Sequence, residues 1–195
     1  MQRRRLIYIG GGGVLLAVLV IAAVLVLAGG GGTGFASLEK NKPCTVASFP
    51  NEGQGHTYKG KLIQPTDIVP YKTDPATSGH HYQVPAPWGV YTEPIPAVIR
   101  VHNLEHGGIE VLYGDKVSAA DRAQAEKDVR SDWKLMLMAP YPKLGAKIYY
   151  VAWQHWIACT GYQKAALDEA QKRWRDKGPE SPVDPTINKQ PDFGT

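Results

Sequence analysis

The sequence predicts an α+β protein: a single N-terminal transmembrane helix, then one small domain with a mostly antiparallel sheet and two packed helices. Three observations lead there. The chain opens with an apolar span behind three arginines. The first part of the exported chain is so dense in proline and glycine that helix is barred and only short edge strands and ordered loops are left. The second part alternates β-rich apolar runs with two helical stretches, the order of an α+β domain. Residues 44–178 suffice for one compact domain and are too few for two.

Residues 1–5 are a basic stub, with Arg3, Arg4 and Arg5 ahead of an uncharged span from Leu6 to Ala28 broken only by Gly10–Gly13. At 1.5 Å per residue such a span crosses a hydrocarbon core of roughly 30 Å. The arginines hold the leading end in the cytoplasm, so the rest is exported. A cleaved signal peptide is the rival reading, but its apolar region runs to about 7–15 residues and ends at a small-residue site. Here the span is longer and exits into glycine, with only a poor site near Ala36. The expectation is an uncleaved single-pass anchor in the cell membrane, touching lipid through residues 6–28. The formal charge of +4 falls to +1 without the three arginines. A near-neutral domain with no basic stripe is a poor nucleic-acid binder, which leaves ions, small molecules or other envelope proteins as partners. Cys44 and Cys159 are the two cysteines. In an oxidising compartment they should pair, and neither sits in a C-x-x-C redox motif.

The glycine-rich residues 29–43 read as a flexible tether. From 49 to 97 the prolines at 85, 87, 94 and 96 dictate loops, while Tyr71, Tyr82, Trp88, Val90 and Tyr91 supply apolar bulk to anchor them. Loops this long in a compact domain tend to be functional. "AVIRV" (97–101) and "GIEVLYG" (108–114) read as strands. "SAADRAQAEKDVRSDW" is a helix with Ser118 as N-cap and Asp121 three residues on. "KLMLMAP" and "KIYYVAW" are strands joined by a turn, and Met136 and Met138 alternate on a core face rather than offering thioethers to copper. "YQKAALDEAQKRWRDKG" is the second helix, stopped at Gly178-Pro179. Residues 179–195 lack periodicity and are expected to be a mobile, proline-rich tail.

Between the first two expected strands lies "VHNLEHGG", carrying His102, Glu105 and His106. On a strand the two histidines would stand about 13 Å apart, too far to share an ion. On a helical turn they are neighbours, with Cβ atoms about 5–6 Å apart. Leu104 then faces the core, Gly107-Gly108 let the chain reverse, and Glu105 suits a supporting acceptor or a base. The spacing H-x-x-E-H also occurs in inverted zinc peptidases, and such short motifs are common in chains that bind nothing. His155, among aromatics in "AWQHWIAC", reads as a packed strand residue, and His80-His81 follow a turn signal.

The strings "FPNEGQGH", "DPATSGHHYQVPAPWGVY" and "VHNLEHGGIEVLY" resemble the domain of unknown function 3105 family, found in membrane-anchored proteins of actinobacteria and other bacteria. The resemblance runs from about Phe49 to Trp153. It implies that the histidines that matter are His56, His81, His102 and His106; Glu105 and Tyr82, beside them in sequence, are expected to support them. His80 stands where the family often has proline, and the cysteine pair is not a family hallmark. No activity is implied.

Four histidines from three rigid loop-like segments favour a transition-metal site, because pre-ordered loops lose less entropy on converging. All-imidazole ligation in an oxidising compartment suits copper or zinc, and the Irving–Williams order puts copper ahead. The expected function is therefore metal handling, or an accessory role in the envelope that uses a bound ion. Two alternatives stand beside it. A metal-dependent hydrolase would use His102 and His106 as ligands and Glu105 as base. A structural envelope protein would bind no metal at all.

Overall fold

The computed structural model describes residues 44–186 and Gln190. The expected basic stub, transmembrane span and tether lie outside the described residues, as does the rest of the expected tail. Among the described residues no helix is long and apolar enough to cross a membrane.

In chain order the elements are β1 (Cys44–Ser48), the short ribbon β2 (Thr57–Tyr58) and β3 (Lys61–Leu62), β4 (Gly89–Val90), α1 (Ala97–Glu105) and β5 (Ile109–Tyr113). Then follow α2 (Ala119–Ser131), β6 (Met136–Pro140), a 3₁₀ turn (Pro142–Leu144), β7 (Lys147–Ala152), β8 (His155–Thr160) and α3 (Lys164–Trp174). Six strands form one sheet in the order β1-β8-β7-β5-β6-β4. The domain is α+β as expected, with two corrections.

The sheet is mixed rather than mostly antiparallel. β1–β8, β8–β7 and β7–β5 pair antiparallel, whereas β5–β6 and β6–β4 are parallel. The cause is α2: it carries the chain across one face and returns it in the same direction, as a crossover helix must. The second correction concerns "AVIRV", which is the first half of a third helix and not a strand. Pro94 and Pro96 bar helix only up to themselves, and Pro96 is the N-cap of α1. After it Val98, Val101 and Leu104 recur at helical spacing and are all buried. Five residues of this segment fit either period, and the face that Leu104 completes decides it.

Register shows how the layers stack. Val111, Tyr113, Ile148, Tyr150 and Ile157 share one face of the sheet, and Glu110, Leu112, Tyr149, Val151 and Trp156 share the other. On the first face Arg122 of α2 lies over the Tyr113 ring, and the Tyr150 hydroxyl donates to the Gln163 carbonyl at the start of α3. His155 stacks flat on Trp174 of α3, ring centroids 4.8 Å apart. The second face carries α1, whose Arg100 pairs with Glu110 in the interior, both side chains fully buried. α1 and the proline-rich loops thus form a third layer over the sheet. Ser118 caps α2 as its sequence predicts, accepting from the Asp121 amide at 3.0 Å. Cys44 and Cys159 face each other across β1 and β8 and form a disulfide.

Candidate metal centre

Three stretches of chain meet at the C-terminal end of α1. His102 and Glu105 lie one turn apart on the helix, and His106 is its C-cap. Gly107 reverses the chain with φ +77°, and a side chain there would strike Ser181 and the backbone of Asp176 and Lys177. A second stretch, residues 53–56, is held by the His81 amide donating to the Gly55 carbonyl at 3.0 Å and the Ile63 amide donating to the His56 carbonyl at 2.9 Å. The third, residues 79–82, is held to the helix by the Tyr82 amide donating to the Val98 carbonyl at 2.8 Å. This is how proline-rich loops without a core of their own are fixed to the domain.

His56, His81, His102 and Glu105 each offer a ligand atom, and the four atoms lie within 4.8 Å of one another. Atoms that close share a point within about 3 Å of each, against metal–nitrogen bonds of roughly 2.0–2.1 Å. The ring centroids of His56, His81 and His102 are 4.8–5.2 Å apart. Of the four histidines expected, three converge. The fourth place in the cluster goes to the carboxylate of Glu105, which was expected only as support. His106 sits beside it, its Nε2 3.1 Å from that of His102 and 3.1 Å from the Glu180 carboxylate.

Hydrogen bonding fixes the tautomers. His81 Nδ1 is 2.9 Å from the Gly79 carbonyl and His102 Nδ1 is 2.8 Å from the Tyr82 carbonyl. A carbonyl only accepts, so both Nδ1 atoms carry the proton, and in the neutral ring Nε2 is left with a bare lone pair. His81 Nε2 and His56 Nε2 are buried without a hydrogen-bond partner among the described residues. His81 Nε2 does stand 2.9 Å from Glu105 Oε2, a contact that helps hold Glu105 ionised. Burial is the main cause that lowers the His102 pKa to about 4; the Tyr82 carbonyl opposes it, and His106, His81 and His56 push further down. Glu105 is held below the usual carboxylate range. Burial alone would raise it, but the contacts with His81, Gln54 and His102 together outweigh burial. A neutral imidazole beside an ionised carboxylate is the protonation state that metal ligation needs.

Tyr82 reaches the cluster through its backbone carbonyl, which accepts from His102 Nδ1. Gln54, not singled out in the sequence, donates Nε2 to Glu105 Oε1 at 3.1 Å. Glu180 was missed altogether, since the tail offers no pattern that points to it. His80 stays outside the cluster, 6.4 Å between its ring and that of Tyr58. His155 lies against the opposite face of the sheet.

Fold and site together describe an α+β domain with a histidine–carboxylate cluster at a helix end. The chain belongs to the family described as protein of unknown function (DUF3105), whose model matches residues 63–186. The match takes in His81, His102, Glu105, His106 and Glu180 and begins after His56. No curated protein and no solved structure matches the chain.

Proposed function

We propose that this is a membrane-anchored, extracytoplasmic protein that binds one divalent transition-metal ion through His56, His81, His102 and Glu105, as part of metal handling in the envelope. The observation that carries the reading is the buried Nε2 of His56, without a hydrogen-bond partner among the described residues, in a group whose ligand atoms from His56, His81, His102 and Glu105 lie within 4.8 Å of one another. A buried polar nitrogen without a partner costs about 1–3 kcal/mol, and a cation among the four ligand atoms would recover it. Three nitrogens and one oxygen, with no sulfur, suit Cu(II) and Zn(II) rather than Cu(I), and Cu(II) comes first in intrinsic affinity. The hydrolase reading has less support, because it needs Glu105 free as a base on bound water. The Glu105 carboxylate is instead tied by Gln54 and set against His81.

The test is metal titration of the full-length chain, purified without chelator or affinity tag. About one Cu(II) or Zn(II) per chain is expected, with His81→Ala and His102→Ala each losing it. Less than about 0.1 ion per chain after reconstitution would reject the reading.

A further inference from the structure

We infer that His106 and Glu180 form an outer landing site, through which the ion reaches and leaves the buried cluster while His102 stays bound to it throughout. The inference rests on the metal-binding reading above and names the route to that site.

His102 has one ring nitrogen free, because Nδ1 is committed to the Tyr82 carbonyl. His102 belongs to two sets of candidate ligand residues, and with Nδ1 committed Nε2 is the atom it has to offer either. One set is His56, His81, His102 and Glu105; the other is His102, His106 and Glu180; within each set the atoms lie no more than 4.8 Å apart. One lone pair holds one ion, so the two sets cannot both be complete at once. They are successive stations for a single ion.

Exposure gives the direction. His81 and His102 are buried, while the His106 side chain is 22% exposed and that of Glu180 51%. A second observation points to a cation at the outer station. His106 Nε2 stands 3.1 Å from His102 Nε2 and 3.1 Å from Glu180 Oε2. The first partner is a lone pair and an ionised carboxylate is acceptor-only, so one proton on His106 can satisfy only one of them. An ion among the three would satisfy all. Glu180 is also held in place there: its amide donates to the Glu105 carbonyl at 3.0 Å, and the Asp176 amide donates to the Gly107 carbonyl at 2.8 Å.

The transfer is ligand exchange with no change in the ion's charge. Glu180 and His106 replace waters, the His106 ring giving up its Nε2 proton to solvent and holding its remaining proton on Nδ1, and His102 joins them. Then His56, His81 and Glu105 displace His106 and Glu180 one at a time, so the ion is never stripped of all protein ligands.

Stopped-flow kinetics on the full-length chain test this, with Zn(II) as the probe and a chromophoric chelator as competitor. Glu180→Gln keeps the backbone bond, and His106→Gln leaves the formal charge at neutral imidazole unchanged, so the second separates ligation from simple attraction. Each variant should slow both uptake and release about tenfold or more while equilibrium affinity stays within about threefold. Wild-type rates in both variants would overturn the landing site. So would a loss of affinity of about a hundredfold, which would make the pair part of the resident site. Failure of the wild-type chain to bind Zn(II) or Cu(II) would instead overturn the metal-binding reading itself.

Discussion

Replacing Arg100 with methionine probes how α1, and with it His102 and Glu105, is locked to the sheet. The Arg100 guanidinium pairs with Glu110 where neither side chain has any exposure, and its Nε donates to the Ile95 carbonyl at 3.2 Å. It also lies over the Tyr141 ring, 5.4 Å from the centroid. Removing one member of a buried ion pair costs about 3–5 kcal/mol, because the partner charge is stranded. Glu110 has no spare partner to turn to, its Oε1 being already unpaired among the described residues. At about 2–4 °C per kcal/mol for a chain of this size, the melting temperature should fall by roughly 6–20 °C. Burial already raises the Glu110 pKa against the pull of Arg100, and losing Arg100 raises it further. An acid whose folded pKa lies above its unfolded one loses stability as pH rises through the interval between them. The variant should therefore be more stable near pH 5 than near pH 8, and by a wider margin than wild type. The assay is denaturant unfolding of the disulfide-intact chain at both pH values, with Glu110→Gln and the double variant completing a cycle. A loss below about 1 kcal/mol for Arg100→Met, or a cycle with no coupling between the two sites, would refute the reasoning.

Other outcomes follow from the same geometry. Gln54→Ala should weaken metal binding about 10–100-fold without unfolding the domain, since Gln54 orients Glu105 through its Nε2; calorimetric titration reads it directly, and an unchanged affinity counts against Glu105 as a ligand. The double variant Cys44→Ser and Cys159→Ser should lose up to about 5 kcal/mol, the upper range for a long closed loop; non-reducing mass spectrometry of native protein should find no free thiol. Protease added to intact spheroplasts should digest the domain while the Arg3–Arg5 stub stays protected; full protection of the domain would reject the export topology.

What could be read from the sequence was what depends on neighbours along the chain. Ser118 and Asp121 cap α2 because three residues of spacing dictate it, and His102 and His106 meet because i and i+4 do on a helix. The direction of β6 could not be read, since apolar strands look alike whichever way they run, and α2 alone decides it. "AVIRV" misled because its alternation fits a strand and its continuation through Leu104 fits a helix. At the site, i, i+4 spacing paired His102 with His106 and the family resemblance added His56 and His81, but the place of Glu105 among the imidazoles depends on how its side chain turns toward His81. Tyr82 contributes a backbone carbonyl, a role that every residue type can fill and that no motif marks. Glu180 reaches His106 across 74 positions of sequence, a distance over which local pattern carries no information.

The disulfide has a mechanical consequence. Among the described residues β1 is an edge strand, held to the sheet along β8 alone. A pull on the chain from its N-terminal side would otherwise unzip that strand one hydrogen bond after another, starting at Cys44. Because the covalent link joins Cys44 to Cys159, the load passes at the first residue of β1 into β8, which is paired on both sides. Tension then meets the whole sheet in shear, and β1 can be peeled away only after the bond between the cysteines is reduced.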